Sequence, residues 1–188
     1  MKNILACIII CYSAISQANA ADTEQLTQES RAAVMALGSE LKTTLQASIK
    51  ANGIIESISV CNIKAPQISQ KISDEHGMAV GRRSLKYRNP KNKPDDWEKS
   101  VLEQFEQRKA NGEAVSTLEF SELTELNGKK LFRYMKAIPT DDVCLNCHGD
   151  NVAHPFVSKI NSLYTDDKAI GFKKGDIRGA FSVIRPVN

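Results

Sequence analysis

The most constraining feature of this chain is the segment Cys144-Leu145-Asn146-Cys147-His148, in which a histidine directly follows a Cys-x-x-Cys pair. This pattern is the attachment sequence for c-type haem. The two thiols can each add to one vinyl group of the same porphyrin, and the imidazole that follows them then falls beneath the iron. We therefore predict one haem c, covalently held by Cys144 and Cys147, with His148 as the proximal iron ligand.

Three other uses of the Cys-x-x-Cys pair compete with this interpretation. A structural disulfide between Cys144 and Cys147 leaves the adjacent histidine without a role. A thioredoxin-like redox pair needs a βαβ setting, whereas Gly149 follows the motif at once and the surrounding sequence is typical of a loop. Zinc bound by Cys144, Cys147 and His154 would need a fourth ligand, and the sequence has no second Cys/His pair at zinc-finger spacing.

The N-terminus has the pattern of an export signal. Lys2 precedes an apolar run over residues 4–15, and Ala18-Asn19-Ala20 then provides a cleavage site. We predict a signal peptide over residues 1–20 and a single mature domain over residues 21–188, located in the periplasm. The alternative is a retained anchor, but the apolar run is too short to span a bilayer as a helix. No membrane span is therefore expected after cleavage.

Hydrophobic periodicity predicts helices first and strands later. Apolar residues recur every three or four positions over residues 22–52, where Gly53 ends the pattern, and again over residues 54–72, where Pro66 must kink or restart the helix. A third helix is predicted from Pro94 to Asn111. Alternating patterns predict strands over residues 115–126, 131–138 and 179–187, with a short strand within residues 77–96. This order favours an α+β fold with a small antiparallel sheet.

The motif does not fix the iron ligand opposite His148. The candidates are Cys61, His76, His154, Met35, Met78 and Met135. Cys61 lies on the apolar face of its helix, so it points inward, where it can be either a buried thiol or an iron ligand. We expect Met78 and Met135 to fill the core, and we expect His154 to lie in a loop or against the edge of the haem.

Four blocks of sequence occur together in this order: VCNIKAP at 60–66, GRRSLKYRNPKNKPDDWE at 81–98, CLNCHG at 144–149 and GDIRGAFSV at 175–183. Jointly they resemble a family of exported c-type haem proteins, long catalogued as a domain of unknown function. That domain is also found as the sensor part of bacterial histidine kinases. The resemblance spans nearly the whole mature chain and implies a PAS-like fold, an antiparallel sheet flanked by helices with the haem held against it.

The resemblance also implies His/Cys axial ligation, in which Cys61 is the distal iron ligand. Thiolate donation favours ferric iron and lowers the reduction potential relative to a Met/His site. A cavity is therefore expected between Cys61 and His148, with both side chains directed into it. This sequence departs from the family pattern at Arg83, where a smaller, Thr-like residue is expected before Ser84.

A basic loop follows the predicted short strand. It contains no acidic residue and six basic ones: Arg82, Arg83, Lys86, Arg88, Lys91 and Lys93. Because a guanidinium group pairs well with a carboxylate, we predict that Arg82 and Arg88 contact the haem propionates; the alternative is a solvated loop. Nucleic acid is not an expected partner, since the formal net charge is only +3 and Tyr87 is the only aromatic residue within the patch.

The predicted function is redox or small-molecule sensing, with CO, NO or O2 as the small molecule. The alternative is a simple periplasmic electron-transfer cytochrome. A peroxidase-like enzyme is disfavoured because no acid/base pair accompanies the motif, so we expect no enzymatic activity. Since no output domain follows the haem-binding domain, a sensor of this kind is expected to act through a separate redox or signalling partner protein.

Overall fold

The computed structural model describes the backbone of residues 3–187 and the side chains of residues 22–187. The predicted signal peptide, residues 1–20, therefore lies outside the residues whose side chains are described. In chain order the elements are α1 (Asn3–His76), β1 (Ala79–Arg83), α2 (Asp96–Ala110), β2 (Glu119–Leu126), β3 (Lys129–Pro139), α3 (Leu145–His148), α4 (His154–Leu163) and β4 (Ile177–Pro186). Within the described part of the chain, no helix has both the length and the apolar character needed to cross a membrane.

Helix α1 consists of two arms that meet at Gly53. This residue has φ 78° and ψ 167°, a combination that is essentially restricted to glycine. The arms pack against each other, since Lys71 Nζ lies 2.9 Å from the carboxylate of Glu40. Beside the break, the hydroxyl of Ser57 lies 2.9 Å from that of Ser48. The predicted end of the first helical segment at Gly53 is therefore confirmed.

Pro66 lies in the second arm, where the sequence predicts a kink or a restart of the helix. Within α1 only Gly53 departs from helical φ and ψ angles, so the helix does not restart at Pro66. Pro66 is exposed, and water can therefore satisfy the carbonyl that loses its amide donor there. Helix α1 therefore changes direction at Gly53 and not at Pro66.

The four strands form one antiparallel sheet in the order β1-β4-β3-β2. Strands β2 and β3 are joined by Asn127 and Gly128, which both have positive φ, as a two-residue type I′ turn requires. All the predicted strands are present, although β2 begins later than predicted because residues 115–117 form a 3₁₀ turn. The predicted α+β architecture, with an antiparallel sheet flanked by helices and a long N-terminal helix, is confirmed.

Both faces of the sheet are covered. The buried cluster under α1 contains Ala33, Val34, Leu37, Ile68, Ile72, Met78, Val80, Phe132, Tyr134 and Val183. The cluster under α2 contains Val101, Leu102, Phe105, Leu118, Met135, Ala137, Ile177 and Ala180. Along β3, Phe132 and Tyr134 face α1, whereas Met135 and Ala137 face α2, which is the two-residue period of a strand. Met78 and Met135 are core residues, as predicted.

Arg83, the departure from the family pattern, pairs with a buried carboxylate. Its Nε lies 2.8 Å from Glu98, a residue that is only 1% exposed. Glu98 also accepts hydrogen bonds from the hydroxyl of Ser182 at 2.6 Å and from the amide of Asp95 at 3.0 Å, the latter closing a capping box at the start of α2. A buried carboxylate is stable only with such partners. Arg83 therefore helps to join β1 to α2.

Candidate haem-binding site

A cleft of about 260 Å³ lies between α1, the end of β1 and the segment that carries α3. The residues that the sequence singled out all line it: Cys61, Arg82, Arg88, Cys144, Cys147 and His148. The apolar part of the wall consists of Leu45, Ile49, Ile54, Ile58, Ile138, Val143 and Tyr164. An apolar cleft with a few convergent polar groups is the usual form of a cofactor site.

The motif forms a short helical turn. Cys144 ends a 3₁₀ turn, and α3 follows directly. Residues three and four positions apart share one face of a helix, so Cys144, Cys147 and His148 project to the same side. The amide of Gly149 closes the turn by donating to the carbonyl of Leu145 at 3.0 Å. A Cβ atom at Gly149 would lie 2.7 Å from that carbonyl oxygen, so a larger residue would disrupt the turn.

The His148 ring is held in the form that binds metals. Its Nδ1 lies 2.8 Å from the carbonyl oxygen of Ala169. Because a carbonyl only accepts, Nδ1 carries the hydrogen and Nε2 keeps a free lone pair. Burial, together with the nearby charges of Arg178 and Arg88, holds the pKa of His148 well below its usual range. The imidazole is therefore neutral, and the ring packs edge-on against Phe172 at 6.2 Å between centroids.

Cys61 reaches the cleft from a different wall, the second arm of α1. Its thiol is half-buried and makes no disulfide. It lies close enough to Arg82, Tyr164 and Cys147 to interact with them electrostatically. Burial raises the pKa of Tyr164 to about 12 and also raises the pKa of the Cys147 thiol. The structure thus brings Cys61 to the same cleft as the motif.

The other candidate ligands lie elsewhere. His154 is the first residue of α4 and is exposed, rather than in the loop that the sequence predicts. Met35 is 70% exposed, and His76 ends α1. Of the six candidates for the distal position, Cys61 alone lines the cleft as described. The zinc alternative finds no support, since no group of three His, Cys, Asp or Glu residues in the described chain is arranged to hold a metal ion.

Arg88 lines the cleft, and its Nε and Nη2 are engaged by the protein. Its Nε and Nη2 lie 3.1 and 3.0 Å from the carboxylate of Asp167. Its Nη2 also donates to the carbonyls of Cys147 at 2.6 Å and Ala169 at 3.3 Å. Cys147 carries the second thiol of the motif, and the carbonyl of Ala169 also accepts the hydrogen bond from His148. Arg88 therefore positions the motif, and its contact with a propionate stays a prediction.

Two other arginines of the cleft have no carboxylate partner. Arg82 is half-buried and forms no ion pair with any described residue. Arg178 donates to the hydroxyl of Ser84 at 3.2 Å and lies over the Phe172 ring at 5.1 Å, without a carboxylate within ion-pair distance in the described chain. Burial lowers the pKa of both arginines, and repulsion from Arg88 and Arg82 contributes to the lowering for Arg178, to about 10.

Arg178 was not predicted from the sequence. The block GDIRGAFSV contains it, but its residue type and spacing do not distinguish it from a surface arginine at the start of a strand. Its place in the cleft depends on the close approach of β1 and β4. A Cβ atom at Gly179 would lie 2.3 Å from the carbonyl oxygen of Arg83, so glycine is required where the two strands meet below the cleft.

A cleft of this composition, set on an antiparallel sheet flanked by helices, defines a haem-binding α+β protein. The sequence profile of the Tll0287-like family matches residues 14–186. Because this match covers most of the sequence, the chain belongs to the Tll0287-like family. The crystal structure of the cyanobacterial haem protein Tll0287 is similar to it, with 28% sequence identity, a TM-score of 0.55, and coverage of 66% of this chain and 71% of that one. No curated protein matches the chain. The resemblance to a haem-binding family is confirmed.

The ion pair between Arg88 and Asp167 gives a prediction about stability. Asp167→Asn leaves the Arg88 guanidinium buried without its counter-charge, which costs about 3–5 kcal/mol when one partner of a buried pair is removed. The free energy of unfolding in urea should fall accordingly. Asp166→Asn is the matched control, because Asp166 pairs with Lys168 at the surface and exposed pairs contribute little. Equal unfolding midpoints for the two variants would show that Arg88 does not depend on Asp167.

Proposed function

We propose that this protein is a periplasmic, mono-haem c-type protein with His/Cys axial ligation that acts in redox or small-molecule sensing. One observation carries the proposal: a single cleft gathers the two thiols of the motif, a neutral imidazole fixed by a backbone carbonyl, and a third thiol from a distant helix. Haem c would use all four groups, the two thiols of the motif as points of attachment and the imidazole and the third thiol as iron ligands. The predicted signal peptide supports the location, because c-type attachment in bacteria takes place outside the cytoplasm.

Cys144 and Cys147 are the proposed points of attachment. Each thiol would hold the haem through a thioether to one vinyl group, with the sulfur on one vinyl carbon and the former S–H hydrogen on the other. No atom is lost, and the mass of the chain rises by one haem. His148 would hold the iron through Nε2, because its Nδ1 donates to the carbonyl of Ala169. When bound, the haem supplies a one-electron redox couple and, at an open axial position, a site for a diatomic gas.

Cys61 is the proposed distal ligand. It is the one candidate ligand that lines the described cleft, and it reaches the cleft from α1 rather than from the segment that carries the motif. A thiolate ligand stabilises ferric iron, so the reduction potential should be low. This potential favours a sensor of oxidising or reducing conditions over a carrier that must match a high-potential partner.

A polar groove beside Cys61 supports the sensing role. This groove has a volume of about 300 Å³ and is lined in part by residues such as Ser69, Gln70 and Ser73. The residues that it shares with the haem cleft are Cys61, Arg82, Arg83, Asn89 and Asn92. Small molecules can therefore approach the distal side without passing through the apolar cleft. Cys61 also lies on the arm of α1 that packs against the sheet, so a change in its ligation would act on a helix rather than on a loop.

Covalent attachment and export can be tested by one mass measurement. Expressed with its N-terminal segment in a host that assembles c-type cytochromes, the protein should have the mass of residues 21–188 plus one haem. Acidified acetone should not extract the haem, because thioether bonds resist it. The double variant Cys144→Ala/Cys147→Ala should lose this resistance. A purified wild-type protein at its apo mass would contradict the attachment, and an uncleaved mass would contradict the signal peptide.

Replacing Cys61 tests the distal ligand. Cys61→Ser should shift the ferric Soret band and raise the midpoint potential, because a weaker donor no longer stabilises ferric iron. His154→Ala is the control, since His154 is exposed and outside the cleft; its spectrum should equal that of the wild type. If Cys61→Ser keeps the wild-type spectrum, Cys61 is not an iron ligand.

Carbon monoxide separates sensing from electron carriage. If Cys61 is a labile ligand, reduced protein should bind CO within the mixing time of a stopped-flow experiment, with a shift of the Soret band. Cys61→Ser should bind CO at least as fast, because its axial position is already weakly held. A reduced wild-type protein that refuses CO, beside a Cys61→Ser variant that accepts it, would favour the electron-transfer cytochrome and contradict gas sensing.

A further inference from the structure

Four arginines line the cleft, and they fall into two pairs. Arg83 and Arg88 each have a carboxylate partner inside the protein, Glu98 and Asp167 respectively. The other two, Arg82 and Arg178, have none within 4.0 Å among the residues that the structure describes. The cleft therefore holds two positive charges that the surrounding chain does not balance.

Unbalanced charges are costly in an apolar cleft. Water cannot fully solvate them there, and like charges repel one another more strongly than at the surface. The pKa of Arg178, lowered to about 10 by burial and by its arginine neighbours, reflects this cost. An anionic ligand stabilises such an arrangement when its negative charges balance the arginines. Arg82 and Arg178 together require two negative charges.

We propose that Arg82 and Arg178 form the seat for the two propionates of the haem, whereas Arg88 is a positioning residue for the Cys-x-x-Cys-His segment. This inference rests on the proposed function and makes it more specific. Haem carries two carboxylates on adjacent pyrrole rings, away from the vinyl groups that the thiols capture. A guanidinium fork binds a carboxylate through two parallel hydrogen bonds, so two arginines match two propionates.

The positions of the two arginines agree with this role. Arg82 is in β1, and Arg178 is in the neighbouring strand β4. The Arg178 side chain is held in place by the Ser84 hydroxyl at 3.2 Å, the Lys86 carbonyl at 3.4 Å and the ring of Phe172. These contacts use Nη1 and the guanidinium face, and no described residue accepts from Nε or Nη2. The two donors that a carboxylate needs are thus left to a ligand.

The midpoint potential of the haem-loaded protein tests the proposal. Removing a cation next to a propionate leaves that negative charge uncompensated, which stabilises ferric iron. Arg178→Gln and Arg82→Gln should therefore each lower the midpoint potential, and Arg178→Lys should stay close to the wild type. Lys86→Gln is the matched control. It removes the same charge from an exposed side chain that also contacts Phe172, and it should leave the potential unchanged.

A second readout is the propionate bending band in the resonance Raman spectrum. It should shift in Arg178→Gln and Arg82→Gln and stay in place in Lys86→Gln. If Arg178→Gln does not accumulate as folded protein, two other measurements test the proposal. They are the midpoint potential and bending band of Arg82→Gln and the bending band of Arg178→Lys. A haem-loaded protein whose potential and bending band are unaffected by all the arginine changes overturns this inference alone. A wild-type protein without covalent haem overturns the proposed function and this inference with it.

Discussion

The hydrogen-bonded ion pair of Arg88 holds the site together. A single buried guanidinium joins the loop after β1 to the carbonyl of Cys147, to the carbonyl of Ala169 and to Asp167. The carbonyl of Ala169 in turn accepts a hydrogen bond from His148 Nδ1. The orientation of the imidazole, the path of the motif and the fold of the segment before β4 therefore depend on one side chain. No other residue of the described cleft makes contacts with all of these parts.

The reversal of α1 at Gly53 positions the wall of the cleft that carries Cys61. It lets two arms of one helix cover the same face of the sheet, and the second arm carries Cys61 toward the motif. Leu45 and Ile49 from the first arm and Ile54 and Ile58 from the second form apolar wall on either side of the break. A straight helix would have left these residues without a common partner. The formation of this cleft wall therefore depends on the backbone conformation of Gly53.

The sequence predicted the parts of the site that depend on local spacing. The thiols and the imidazole are set by a five-residue motif, and the break at Gly53 is set by a single residue. It did not predict helix α4, in which Ile160 is the only fully buried residue. Nor could it separate Arg82 from Arg88, because the difference between them is Asp167, which lies 79 positions from Arg88. Charge pairing over such separations depends on the tertiary fold.

The same charge pairing explains why a site rich in arginine can remain specific. The Arg88 guanidinium has a carboxylate and two carbonyls as partners of its Nε and Nη2, so it fixes the protein's own loops. The Arg178 guanidinium is held by a hydroxyl, a carbonyl and an aromatic ring, and none of these partners balances its charge. The cleft contains both kinds within one wall. The arginines with a carboxylate partner are therefore distinguished from those without one by the tertiary fold, not by their positions in the sequence.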